Sequence, residues 1–426
     1  MKAERRNRKV IITAIIVGAV FLAGVITASV LLTRDDDTTN TNPWIPVDTE
    51  NVPASLRFDV ATSLVEAGCS DTSGVKGQEW LNSLLSNDEQ VVLVKLNVII
   101  TKTISSNSSA AFQVYYLVNG TLIPQGDQLV DPDFTPTAEL SLDLSNDGST
   151  LVVGNPDYFS IVEPASGFVQ AYRFNGTNWI EYGNRILGQC DGSTGCSPCT
   201  NEMYHDLGHQ VKVNANGTRL VVSAPQAECV NGPLAGNRGV GFVRIYDMFS
   251  SSTSGGTDDT WIQVGNDIVR PEPELGSAVQ EFGGSLSLSS DGTKIAIGSD
   301  DGMCGVFYLD NGVWEVVGNY MWDFYAKSDS FFHRQYISLS GDGNRVAVGA
   351  DTLGEKLHHW GDTEKEGTVR ILEWTNGVWI QVGDDLVGPR GFGHTVGLSP
   401  DGDILAVLIL QENSTTCQVF SAPIKD

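Results

Sequence analysis

Four of the seven cysteines fall close together, Cys190, Cys196 and Cys199, with Cys229 thirty residues further on. Four thiols at such spacing suit two chemistries: a tetrahedral zinc site built from thiolates, or a pair of disulfides. An oxidising compartment favours disulfides, which are the expectation here. The odd total leaves one thiol free or paired between chains, and Cys69 is the candidate for a bridge between chains. Asn107, Asn119, Asn175, Asn216 and Asn413 each open an Asn-x-Ser/Thr acceptor sequence for N-linked glycan. His209 and His394 follow glycine at one repeat position, which is placement rather than chemistry. His358 and His359 lie among Glu355, Asp362, Glu364 and Glu366 and read as part of a solvated polar loop. There is no nucleophile elbow, phosphate-binding glycine loop or His-Glu-x-x-His. Carboxylates are too numerous for one pair to stand out as a glycosidase acid and nucleophile. No catalytic, cofactor-binding or metal-ligating residue is assigned, no cofactor is expected, and the primary expectation is a non-enzymatic protein.

The compartment is read from the N-terminus. Val10–Thr33 is apolar apart from small and hydroxyl residues, and at about 1.5 Å per residue it spans a hydrocarbon core of about 30 Å. Basic residues precede it (Arg5, Arg6, Arg8, Lys9) and acids succeed it (Asp35, Asp36, Asp37). Residues 1–9 are therefore read as a cytosolic tail and 10–33 as an uncleaved signal anchor of a type II, single-pass protein. The bulk then lies in the lumen of the secretory pathway or outside the cell. Small residues four apart (Ala14 and Gly18, Ala19 and Ala23) can pack two such helices, so the anchor and the stalk beyond it are the places for a dimer. The formal net charge of -26 is concentrated beyond the basic tail. Such a surface repels phosphate backbones, which argues against nucleic acid as a partner.

Residues 34–54, rich in Asp, Thr, Asn and Pro, read as a flexible spacer. Apolar residues at helical intervals in 55–90 (Leu56, Val60, Leu64, then Leu81, Leu84, Leu85) predict two short helices that cap one end of the next domain. From Val91 the period becomes that of strands, and one unit then recurs. Its clearest copy runs from Ile337 to Asp385: a strand to Asp342-Gly343, the strand Arg345–Gly349, a loop, Gly367–Ile371, a turn at Asn376-Gly377, and Trp379–Gly383. Asp147-Gly148, Asn216-Gly217, Asp291-Gly292 and Asp401-Gly402 mark its relatives. Asp-Gly and Asn-Gly between alternating strands signal tight hairpins whose two central residues both take positive φ. Trp179, Trp261, Trp314 and Trp379 share one position, and they are expected to fill the wide space between neighbouring units. In the fourth-strand region of one unit, Ser250–Asp259 reads as a polar loop. Four-stranded repeats of this length predict an all-β propeller of six or seven blades over residues 91–426. The C-terminal copy holds three strands, as it would if the two ends of the domain paired to close the ring.

The Phe-Gly openings (Phe282-Gly283, Phe392-Gly393), the Asp-Gly turn, the strand ending Val-Gly-Ala-Asp351 and the closing Gly-x-Val strand resemble FG-GAP repeats of the integrin-α-type propeller. That resemblance covers about residues 91–423 and implies recognition or adhesion by loops on one face of a disc. The family's calcium loop, Asp-x-Asp-x-Asp-Gly, has no counterpart here, so calcium is not carried over. Gly208-His209 and Gly393-His394 also resemble WD40 repeats, without the Trp-Asp that closes them. The function expected is binding, adhesion or recognition of an extracellular protein or glycan. The alternative is a carbohydrate-active hydrolase built around the central channel. The loops Gln226–Arg238 and Asp351–Glu366 are the places to look for it.

Overall fold

Each Asp-Gly marker closes a hairpin that its own side chains hold in shape. In Ser340–Arg345 the Gly343 N–H donates to the Ser340 carbonyl (2.8 Å) and the Ser340 N–H to the Arg345 carbonyl (2.9 Å). The Ser340 hydroxyl donates to Asp342 Oδ1 (2.6 Å) and accepts from the Arg345 N–H (2.9 Å), while Asp342 Oδ1 accepts from the Asn344 N–H (2.9 Å). Ser145–Thr150 and Ser289–Lys294 repeat the set. Only the glycine has positive φ in these loops; the Asp does not. The expected two-residue turn is therefore wrong at the Asp-Gly sites, because the serine and aspartate side chains supply the hydrogen bonds that shape a longer loop. It is right at Asn311-Gly312 (φ 48° and 83°) and Asn376-Gly377 (φ 53° and 89°).

The computed structural model describes residues 44–46, 90–95, 98–104, 110–118, 121–134, 140–160, 165–189, 206–227, 240–253, 256–270, 281–299, 302–321, 335–350, 366–411 and 414–422. The expected tail, anchor and helical cap lie outside them. Among the described residues there is no helix, and none long and apolar enough to cross a membrane. The strands, in chain order, are β1 (Ile45–Pro46), β2 (Gln90–Lys95), β3 (Val98–Ile104), β4 (Ala110–Val118), β5 (Thr121–Pro124) and β6 (Leu129–Val130). They continue with β7 (Ser141–Leu144), β8 (Thr150–Ser160), β9 (Ala165–Phe174), β10 (Trp179–Glu181) and β11 (Ile186–Gln189). Next come β12 (Val211–Val213), β13 (Arg219–Ala224), β14 (Phe242–Thr253), β15 (Gly256–Gln263) and β16 (Ile268–Val269). The remainder are β17 (Ser285–Leu288), β18 (Lys294–Gly298), β19 (Cys304–Asp310), β20 (Val313–Val316), β21 (Gln335–Leu339), β22 (Arg345–Ala350), β23 (Gly367–Thr375), β24 (Val378–Gln381), β25 (Leu386–Gly388), β26 (Phe392–Leu398), β27 (Ile404–Gln411) and β28 (Ser414–Ser421).

These strands make six antiparallel sheets, and the fold is a six-bladed β-propeller. Blade 1 is β2-β3-β4-β5, blade 2 β7-β8-β9-β10, blade 3 β12-β13-β14-β15, blade 4 β17-β18-β19-β20 and blade 5 β21-β22-β23-β24. Blade 6 is β26-β27-β28 with β1 as its outer strand, Ile45 opposite Ser421 and Pro46 opposite Phe420. The paired ends expected from the three-stranded C-terminal copy are present. The flexible spacer expected over 34–54 is corrected at residues 44–46. Trp44 is fully buried among Leu386, Phe392, Val407 and Phe420, and a proline is tolerated in β1 because it is an edge strand. The polar loop expected at Ser250–Asp259 is also corrected. β14 and β15 continue as a ladder from Ser250 opposite Asp259 to Thr253 opposite Gly256, a hairpin extension of blade 3.

Blade is joined to blade by three repeated devices. The indole N–H of Trp179, Trp261, Trp314 and Trp379 donates to a backbone carbonyl of the preceding blade's exit segment: Gln125, Tyr182, Val264 and Val317, at 2.9 to 3.0 Å. Packing between blades, as expected, accounts for all four. Arg219, Lys294 and Arg345 reach across to the carbonyls of Gly292, Gly343 and Gly402 in the next blade's turn. Third, the backbones close up: a Cβ on Gly367 would run into the Phe392 carbonyl, and one on Gly241 into the Phe282 carbonyl. The Phe-Gly and Gly-x-Val signatures are two sides of that one contact.

Candidate functional site

In an antiparallel four-stranded blade, the turns after the first and third strands share one end. The connections after the second and fourth strands share the other end. The Asp-Gly and Asn-Gly turns therefore lie together on a turn face, and the variable connections on a loop face. The turn face is locked. Asn146 N–H donates to the Ala215 carbonyl, Ala215 to Ser290, Ser290 to Gly341, and Gly341 to Pro400, at 2.7 to 3.0 Å, linking the inner turns of five successive blades around the axis. Beneath them the inner strands enclose only about 60 Å³, lined by Asp143, Asn146, Lys212, Ser287, Ser290 and others. Asp143 accepts from the Val213 N–H (2.7 Å), and Ser287 and Ser338 do the same for Leu339 and Leu398. Asp143, Ser287 and Ser338 at this end of the axis are thus spent on joining blades.

The loop face carries a different kind of structure. Where blades 1 and 2 meet, Arg185 binds Asp133 (2.5 Å) and Asp131 (3.1 Å), and its guanidinium lies 4.2 Å from the centre of the Phe168 ring. The Tyr172 hydroxyl donates to Asp131 Oδ2 (2.8 Å), and Asn155 Nδ2 to the Asp133 carbonyl (2.9 Å). Burial, then the Asp131 charge, pushes the Tyr172 hydroxyl pKa up. Burial alone would lower that of Arg185, but Asp133 and Asp131 outweigh it and hold the guanidinium charged. Asn155 is 3% exposed, and its Oδ1 has no hydrogen-bond partner. Just past it β8 bulges, its register against β9 shifting between Asn155 and Phe159, and the β8–β9 hairpin extends with Tyr158 edge-on to Phe168 (4.9 Å). A bulge beside a charged, aromatic-backed cluster with a spare buried acceptor makes this the candidate site. Sequence reading missed it. The signal was the acid–proline–acid run Asp131-Pro132-Asp133 in a position where no other copy has one.

Of the other expected residues, Asn175 and Asn216 are exposed on turns of the turn face. Asn107, Asn119, Asn413, Cys190, Cys196, Cys199, Cys229 and Cys69 lie outside the described residues, as do His358, His359 and most of the loops Gln226–Arg238 and Asp351–Glu366. Cys417 on β28 is disulfide-bonded. Cys304 is a buried free thiol whose pKa burial pushes up to about 12. His394 packs against Tyr336, ring centres 5.0 Å apart, and among the described residues no three metal-ligating side chains converge.

No known family model matches the chain, and no curated protein is significantly similar to it. Two solved structures are weakly similar to it. The β-propeller domain of Myceliophteria thermophila Cps50 (Swd1) is 11% identical, covering 76% of this chain and 93% of that one with a TM-score of 0.38. A candidate 6-phosphogluconolactonase from Bacteroides uniformis is 14% identical, covering 79% of this chain and 83% of that one with a TM-score of 0.41.

Proposed function

We propose that the chain is a membrane-anchored, extracytoplasmic recognition propeller that reads a protein or glycan ligand through its loop face. The observation that carries this is the division of labour between the faces. What repeats goes into joining blades, whereas among the described residues the Arg185–Asp131–Asp133–Asn155 cluster and the extended β8–β9 hairpin occur once, on the opposite face. The Val10–Thr33 stretch with its basic flank supports the anchor, and the Cys417 disulfide supports an oxidising compartment. The Phe-Gly to Gly-x-Val contact supports kinship with FG-GAP adhesion propellers. A hydrolase at the axis is less well supported. It needs two carboxyl groups about 5–10 Å apart, and of the described residues lining the narrow end only Asp143 is acidic, its Oδ2 already engaged. The test is a glycan and protein array probed with a soluble fragment starting at Asp37, alongside its Arg185→Ala variant. Binding that falls at least tenfold in the variant is expected. Turnover of a glycan with no binding by the intact fragment would overturn the proposal.

A further inference from the structure

The third-to-fourth-strand turns differ between blades in whether they carry a glycan acceptor sequence. Blades 4 and 5 carry Asn311-Gly312-Val313 and Asn376-Gly377-Val378, with both valines about half exposed (47% and 49%). Blade 2 has Asn175-Gly176-Thr177 in the corresponding but longer turn, four residues between Phe174 and Trp179, and in blade 1 the sequence from the end of β4 into β5 is Asn119-Gly120-Thr121. A threonine at this position turns a plain hairpin into a glycan acceptor. Blade 3 bears its acceptor on the inner turn instead, Asn216-Gly217-Thr218.

Both described acceptors have the geometry to carry a glycan in the folded protein. Asn175 uses only Oδ1, which accepts from the Thr177 and Asn178 N–H groups (2.9 Å each), and Asn216 Oδ1 accepts from the Thr218 N–H (3.2 Å) and hydroxyl (2.6 Å). In each case the amide nitrogen, which would bear the sugar, enters none of these bonds, and the residue is exposed. Nothing in the turn has to move to admit an oligosaccharide. The Asn216 loop also belongs to the hydrogen-bonded ring, its Ala215 joining Asn146 on one side and Ser290 on the other.

We infer that Asn175 and Asn216 are occupied by N-linked oligosaccharide, so the blade 2–3 sector of the turn face is a shielded surface. This rests on the extracytoplasmic reading proposed above. It deepens that reading by making the turn face the side on which a ligand does not dock.

The full-length chain, expressed in cells with a secretory pathway, is solubilised and treated with peptide-N-glycosidase in heavy-oxygen water, and each acceptor peptide is scored by mass spectrometry. Labelled aspartate at positions 175 and 216 in most copies is expected. Occupancy at Asn107 or Asn413 with none at Asn175 and Asn216 would overturn the inference while leaving the compartment reading intact. Labelling at none of the five would overturn both. Thr177→Val, which borrows the residue of blades 4 and 5, is expected to abolish labelling at 175 alone without loss of folding.

Discussion

A soluble fragment cut at Asn51, just past the polar segment that the sequence presents as a spacer, should be badly compromised, and the size of the defect can be worked out. The cut removes β1 and Trp44. Trp44 is 1% exposed. A buried tryptophan hides roughly 150–250 Å², so at about 25 cal/mol per Å² its burial contributes about 4–6 kcal/mol. Measured Trp→Ala losses of about 3–5 kcal/mol agree. The two-residue ladder to Ser421 and Phe420 adds about 1 kcal/mol per hydrogen bond. Against a net stability of about 5–15 kcal/mol this is a large fraction. It also leaves β28 as an unpaired edge next to an emptied pocket, an invitation to strand exchange. With unfolding entropy near 2.1 cal/mol/K per residue, 4 kcal/mol over a domain of this size lowers Tm by about 6 °C. The assay compares fragments starting at Asp37 and at Asn51, with Trp44→Ala in the longer one, by thermal unfolding and light scattering. Trp44→Ala should lose about 6 °C and stay monomeric; the Asn51 fragment should lose more and self-associate. Equal Tm and monomeric behaviour for the two fragments would refute the closure of blade 6 by β1.

The joints between blades can be tested in the same way. Gly367→Ala, which drives a Cβ into the Phe392 carbonyl, should cost about 1–3 kcal/mol in denaturant unfolding, with Gly377→Ala as a contrast: nothing lies within 4 Å of that site, and only its φ of 89° opposes the change. The Asp342 carboxyl is held low: burial pulls it up, but the hydrogen bonds from Ser340 and Asn344 outweigh burial. Its contribution to stability is therefore complete above the ordinary carboxylate pKa of about 4 and disappears as pH falls through the lowered value. The stability gap between the native protein and Asp342→Asn, measured by urea unfolding, should narrow below about pH 4, and a constant gap would count against the loop's side-chain network. Cys304, buried with its pKa near 12, should resist iodoacetamide until the protein unfolds, whereas alkylation of the native protein at that site would contradict its burial.

The architecture was legible because its recurring contacts need recurring residues. A loop that closes only through a serine hydroxyl and an aspartate carboxylate writes the same spacing into one blade after another, and an indole that must reach the neighbouring blade's carbonyl writes a tryptophan at a fixed place. Trp44-Ile45-Pro46-Val47 was legible on the same terms, being the relative of Trp379-Ile380-Gln381-Val382. It escaped notice because the copy is split: its first three strands end the chain, and its last stands hundreds of residues earlier among spacer-like neighbours. The shape of the Asp-Gly turn was misjudged for a local reason. The dipeptide alone suggests both residues at positive φ, yet the serine two positions before the aspartate redirects the backbone so that glycine alone takes that conformation.

The candidate site was much less legible, for the opposite reason. Arg185 shows why. In blades 3 and 5 the third strand carries the arginine and the exit segment the aspartate, Arg244 with Asp267 and Arg370 with Asp385, each a bidentate pair at 2.6 to 2.8 Å. In blade 2 the strand has Gln170 instead, the arginine moves to the exit segment, and it turns to the acids of blade 1's connection. A periodic reading registers this as a repeat with a poor match. Physically it is a charge pair re-routed from within one blade to the seam between two. It brings with it a bulge, an extended hairpin and a buried amide oxygen with no partner. A propeller keeps its stability in what its blades share, so selection for a ligand can act only where a blade departs from the rest. Blade 2 on the loop face is where the described chain departs most, and the Arg185→Ala binding experiment is aimed there.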